Sequence, residues 1–116
     1  MDELNTADNI LDWMKTQAAE KVPISPARWL EASIKLEILS SDETDKLIDL
    51  ETAVAKIRLT ALDETGAAAK AKIIIEASDP YNQLRKQKKK CDRIDEMVRL
   101  SKKFAQLKSD ELRSAV

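Results

Sequence analysis

The segment SDPYNQLRKQKKKCDRIDEMVRLSKKFAQLKSDEL, residues 78–112, decides how the rest of the chain is read. It opens by pairing Asp79, a carboxylate suited to capping free backbone N–H groups, with Pro80, whose fixed φ and missing N–H suit the first helical position. Leu84, Cys91, Val98, Ala105 and Leu112 then recur every seven residues, and Ile94, Met97, Leu100 and Phe104 widen that row to one side. The spacing predicts an amphipathic helix over 79–112 whose apolar stripe needs a partner. Away from the stripe lie Arg85, Lys86, Lys88, Lys89, Lys90 and Arg93, which at about 100° per residue spread over an arc of roughly 200°.

The partner is sought upstream. Gly66, the only glycine, follows Leu62-Asp63-Glu64-Thr65 and is placed to end a helix in the left-handed conformation. Before it, Ser25-Pro26 is a start signal, and a helix over 25–65 carries Trp29, Leu30, Ile34, Ile38 and Leu39 as a first apolar patch. Leu47, Leu50, Val54, Ile57 and Ala61 follow, spaced three, four, three and four. The register slips over Ser40–Asp45, where Ser40-x-x-Glu43 fits a capping box, but near-continuity of one helix is the expectation.

Between the long helices, residues 67–77 mix alanines with the β-branched run Ile73-Ile74-Ile75. No second strand candidate exists to pair with that run, so a short helix is expected, with Lys70, Ala71, Ile74, Ile75 and Ser78 close together on successive turns. At the start, Leu4, Ala7, Leu11, Met14 and Ala18 mark an amphipathic helix over 1–22, broadened by Ile10 and Trp13 and ended before Pro23 in the connector Val22-Pro23-Ile24. The fold class that follows is all-α. One domain over 1–116 is built as a long antiparallel helical hairpin with an added N-terminal helix and a short helix at the corner, and Ser109 to Val116 are expected to fray.

Composition agrees: one Gly, three Pro and 3% aromatic residues describe helices with few turns and a thin core, which predicts assembly into a homo-oligomer. The single Cys91 has no intrachain partner, and no apolar run reaches membrane-spanning length, so a reducing, cytoplasmic setting without membrane attachment is expected. Charge is uneven. Residues 1–64 hold 14 acidic and 7 basic side chains, whereas residues 65–116 hold 7 and 13. That asymmetry leaves two readings open, a polyanion partner for the basic half or head-to-tail pairing between subunits.

Catalytic chemistry is sparse. Histidine is absent, and there is no Gly-rich phosphate loop or nucleophile elbow, so neither a catalytic residue nor a cofactor is expected. The acidic groups Asp42-Glu43-Asp45 and Asp92-Asp95-Glu96 read as solvated faces rather than cation sites. The basic cluster is the feature that helix formation does not require: Arg85 with Lys89, Lys89 with Arg93 and Lys86 with Lys90 are like charges four apart, each costing about 0.2–0.5 kcal/mol. Solvation alone accounts for many such faces, as does neutralisation by a neighbouring subunit. If the ligand is nucleic acid, these cations would follow the phosphate backbone, with Lys102 and Lys103 extending the track and little discrimination between sequences. Tyr81 reads as corner packing before it reads as a base-stacking group.

Over residues 29–108 the order of Trp29-Leu30, a long helix through Ala61, the Thr65-Gly66 corner, Ala69-Lys70-Ala71-Lys72, Ser78-Asp79-Pro80-Tyr81 and a basic helix resembles small helical proteins of tailed phages. Among these it is most similar to the recombination mediators typified by the UvsY protein of T-even phages. The resemblance implies a helical ring that binds single-stranded DNA and helps load a recombinase onto DNA coated by single-strand-binding protein. For this chain it implies nothing finer than a DNA-binding role for Arg85, Lys86, Lys88, Lys89, Lys90 and Arg93. The alternative from the residues is a structural or adaptor protein, a virion component or protein-binding inhibitor, without DNA affinity.

Overall fold

The computed structural model describes residues 5–20 and 25–114, with side-chain environments for all of these except 20, 105, 108, 109 and 112–114. The expected end of the first helix near Lys21 or Val22, the connector Val22-Pro23-Ile24, Leu4, residues 115–116 and the side chains of Ala105, Ser109 and Leu112 lie outside the described residues. Four helices follow one another: α1 (Ala7–Glu20), α2 (Pro26–Thr65), α3 (Ala68–Glu76) and α4 (Asp79–Ser114). No strand occurs among the described residues, and the fold is all-α.

Three of the four starts use a hydroxyl in the same way. Thr6 Oγ1 accepts the Asn9 N–H at 3.1 Å, Ser25 Oγ faces the Arg28 N–H at 3.5 Å, and Ser78 Oγ accepts the Tyr81 N–H at 3.4 Å. Each serves the third residue of its helix, as a side-chain cap should. At α4 the cap is therefore Ser78, one residue before the expected Asp79, which instead occupies the first helical turn where its charge suits the helix dipole. The Ser78 hydroxyl also donates to the Ile75 carbonyl at 2.6 Å, tying the end of α3 to the start of α4.

The corner between α2 and α3 is built on Gly66, whose φ is +64° and whose N–H bonds to the Leu62 carbonyl at 2.8 Å. That is the single-bond left-handed helix ending. Thr65 reinforces it, its hydroxyl lying 2.7 Å from the Ala61 carbonyl and 3.2 Å from that of Ala67. In α3, Ala71 and Ile75 are buried, but Ile74 is exposed, so the inner row is Ala71–Ile75 alone.

The chain divides into two compact units, residues 1–41 with 92–116 and residues 42–91. In the first, Ala7, Ile10, Leu11 and Met14 of α1 pack with Trp29, Ala32 and Leu36 of α2 and Ile94 of α4. Ile10 is central there, not an edge residue, and Ala18 is exposed because the packed stretch of α1 ends after Met14. Trp13 and Phe104 flank Trp29 with ring centroids at 5.7 and 6.1 Å, and the Arg28 guanidinium sits 5.5 Å from the Trp13 ring. Trp13 is thus packing material. Ser33 and Ser101 are buried, and their hydroxyls and Trp29 Nε1 have no hydrogen-bond partner among the described residues.

The expected first patch of α2 is corrected in part: Leu30, Ile34 and Ile38 are exposed, Ile38 by 70%, while Trp29, Ala32, Ser33 and Leu36 face inward. Leu100 of α4 is likewise exposed. In the second unit, Val54 of α2, Ile75 of α3 and Leu84 of α4 form a small core with Leu47, Leu50, Ile57 and Tyr81 packed against it.

Replacing Gly66 with Ala tests the corner. A Cβ there would meet nothing within 4 Å, so the cost is the backbone conformation alone. Urea unfolding followed by circular dichroism should show a loss of about 1–2 kcal/mol for Gly66→Ala and a smaller loss for Gly66→Asn, which tolerates the left-handed region better.

Candidate nucleic-acid interface

The site begins with a residue the apolar spacing conceals. α2 runs unbroken through Ser40–Asp45, and the Ser40 hydroxyl donates to the Glu37 carbonyl at 2.6 Å, so no capping box starts there. Glu43 instead takes an inward position, its side chain only 7% exposed. Among the buried and half-buried residues of α2, Trp29, Ala32, Leu36, Leu39, Glu43, Leu47, Leu50 and Val54 follow one another at spacings of three and four, with Glu43 filling the place where the apolar register slips.

Within the second unit, α4 brings Gln87 and Lys90 to that carboxylate and Cys91 to the Glu43 backbone carbonyl. Gln87 Nε2 donates to Glu43 Oε2 and to the Glu43 carbonyl, both at 2.8 Å. Lys90 Nζ pairs with Oε2 at 3.1 Å, and Lys46 Nζ on α2 pairs with Oε1 at 3.3 Å. The Cys91 thiol lies 3.6 Å from the Glu43 carbonyl, in reach as a weak donor. Burial pushes the Glu43 carboxyl up, but the hydrogen bonds from Gln87, Lys90 and Lys46 and the Lys90 charge outweigh it and hold the group below its ordinary value of 4.5.

This layer sorts the six basic candidates. Lys90 is half-buried and committed to Glu43, which removes it from the outward face. Arg85, Lys86, Lys88 and Lys89 are exposed, and none has an ion pair with any described residue. Arg85, Lys86 and Lys89 line one concavity of about 480 Å³ together with Asn82 and Asp79, and Lys88 projects outside its lining. Arg93 is exposed but belongs to the other unit. There, too, Lys102 pairs with Glu37 at 3.1 Å, whereas Lys103 is exposed.

Asn82 was not foreseen. It stands three residues before Arg85 and seven before Lys89, the spacing of one helix face, and that was the available signal. Gln87 shares the same kind of clue, lying three residues after Leu84 and four before Cys91. Tyr81 is half-buried against the second core, as corner packing requires. Among the described residues, no group of three or more His, Cys, Asp or Glu side chains is arranged to hold a metal ion, and no helix is long and apolar enough to cross a membrane.

The arrangement offers closely spaced cations on a rigid helix with amide and carboxylate groups beside them, and no aromatic platform among them. It is suited to anionic backbone oxygens rather than to reading bases.

Glu43 makes a pH-dependent contribution that can be measured. Its depressed folded pKa means that stability is present above 4.5 and is lost as pH falls through the folded value. At pH 7, Glu43→Gln should cost about 1–3 kcal/mol in urea unfolding, because it removes the buried negative charge that the Lys90 and Lys46 ammonium groups pair with. The gap between wild type and Glu43→Gln should narrow as pH drops below 4.5; a gap of constant size would contradict the assignment.

Comparison of the chain with protein-family models, with curated proteins and with solved structures finds no match in any of the three.

Proposed function

We propose that this chain is a non-catalytic, self-associating helical accessory protein that binds single-stranded DNA through the exposed basic face of α4. The observation that carries the reading is the set Arg85, Lys86, Lys88 and Lys89, four exposed cations within five residues with no ion pair to any described residue. Arg85 and Lys89 lie one helical turn apart, and such like-charge pairs cost about 0.2–0.5 kcal/mol when nothing neutralises them. A polyanion removes that cost and gains contacts. A service role in recombination or replication, with a recombinase or single-strand-binding protein as further partner, is suggested by the resemblance to phage recombination mediators described above.

A second reading is favoured by a different observation. Ile48, Leu59 and Ile73 are 53%, 66% and 69% exposed, which suits a structural or adaptor protein that docks other proteins and has no DNA affinity.

Fluorescence anisotropy with labelled oligo-dT and with mixed-sequence oligonucleotides separates the two. With at most four phosphate contacts, the slope of log K against log salt should be about −3, which is roughly a 50-fold loss between 50 and 200 mM salt. Arg85→Gln, Lys86→Gln, Lys88→Gln and Lys89→Gln combined should abolish binding while circular dichroism stays unchanged, and affinities for the different sequences should lie close together. Absence of binding at 50 mM salt, or equal binding by the variant, would leave the adaptor reading.

A further inference from the structure

Within the second unit, α2 carries another row besides its packed one. Ile48, Thr52, Ala55, Leu59 and Leu62 are spaced four, three, four and three, the spacing of a coiled-coil seam, and all five are exposed. The inward side of the same segment is already occupied by Leu47, Leu50, Val54 and Ile57 with their neighbours. Asp49 and Lys56 flank the outer row on one edge, Glu51 and Arg58 on the other, and none of these four has an ion pair with any described residue.

We propose that this outer row is an interface between two copies of the chain, packed antiparallel about a two-fold axis between Thr52 and Ala55. It names the surface for the self-association in the proposed function and rests on that part of it, not on DNA binding. In this pairing Ile48 packs on the partner's Leu59 and Thr52 on the partner's Ala55. Asp49 then faces the partner's Lys56 and Glu51 faces the partner's Arg58, and symmetry repeats both, so these central flanking contacts are between opposite charges, while at the two ends of the seam Leu62 meets the partner's Asp45 and Asp63 meets the partner's Asp42.

Charge also rejects the other registers. Sliding one copy by seven residues in one direction sets Lys56 against the partner's Lys56 and Arg58 against the partner's Arg58. Sliding in the other direction sets Asp49 and Glu51 against their own counterparts. A parallel pairing matches Glu51 with the partner's Lys56 and Arg58 with the partner's Asp63, but at the next position of the row it places Asp45 directly on the partner's Asp45, a like-charge contact inside the seam, where the antiparallel pairing places Asp45 on the partner's Leu62. Small side chains at Thr52 and Ala55 let the backbones approach, and the charged edges make the dimer sensitive to salt.

Sedimentation equilibrium tests this with wild type, Asp49→Lys, Lys56→Asp, the double variant and Leu59→Glu, each checked for helicity. Wild type should dimerise reversibly, each single charge reversal should raise the dissociation constant roughly tenfold, and the double variant should return to within about threefold of wild type. Leu59→Glu should be monomeric. DNA affinity per chain at monomeric concentrations should be the same for all five. If Asp49→Lys has no effect and the double variant is no better than Lys56→Asp, the antiparallel pairing is wrong. A wild-type oligomer indifferent to all these changes overturns the surface alone, and a monomeric wild type overturns the self-association as well while leaving DNA binding standing.

Discussion

A carboxylate taken out of water must be met by donors in fixed positions, and Glu43 imposes that condition on the unit formed by residues 42–91. Apolar helix rows alone are permissive, because one leucine can replace another after a slide of seven residues. Here such a slide is blocked. In one direction the places of Gln87, Lys90 and Cys91 would pass to Ile94, Met97 and Val98, leaving the buried carboxylate with no donor from α4. In the other they would pass to Pro80, Gln83 and Leu84, which supply no cation. The polar layer thus sets the pairing of α2 with α4 in this unit, at the expense of apolar burial where it sits, which is the best-attested use of a polar group in a helical seam.

The same constraint divides the basic residues of α4 by role. A helix face with Arg85, Lys86, Lys88, Lys89 and Lys90 looks uniform as a charge run, yet Lys90 is held to Glu43 at 3.1 Å and serves the fold. Its four predecessors are not used in this way. Their mutual repulsion is a small destabilising term that the unit carries without an ion pair to any described residue. Because the side chains that hold Glu43 and those that face outward come from the same two turns of α4, the buried layer also fixes the direction in which the cationic face points.

Local chemistry was easy to read from the sequence, and phase was not. Gly66, Pro26 and Pro80 act within a few residues of themselves, so the helix corner and the succession of long, short and long helices follow from neighbours in the chain. The inward faces are decided by partners far along it. Glu43, Gln87, Ser33 and Ser101 occupy inward places but count as polar, so a search for apolar recurrence passes over them and finds a slip at Ser40–Asp45. Conversely, Leu30, Ile34 and Ile38 recur at helical spacing and yet lie outside. The basic cluster was legible as composition; which of its members form an ion pair within the described residues was not, since that depends on a glutamate on another helix.

The second unit's core is small, its cluster built on the buried Val54, Ile75 and Leu84, while Ile48 and Leu59 of the same unit stay largely exposed. At about 25 cal/mol per Å² of apolar surface, such exposed side chains represent stabilisation that the single chain does not collect. A helix with an apolar row on each side collects it only when a second helix arrives from outside. The outer row belongs to α2 and the free cations to α4, so burying the first does not require covering the second. An antiparallel pair would carry two basic faces related by a two-fold axis. Binding of the first to a strand would raise the effective concentration of the second, so affinity would grow with strand length beyond what the four cations of one chain provide.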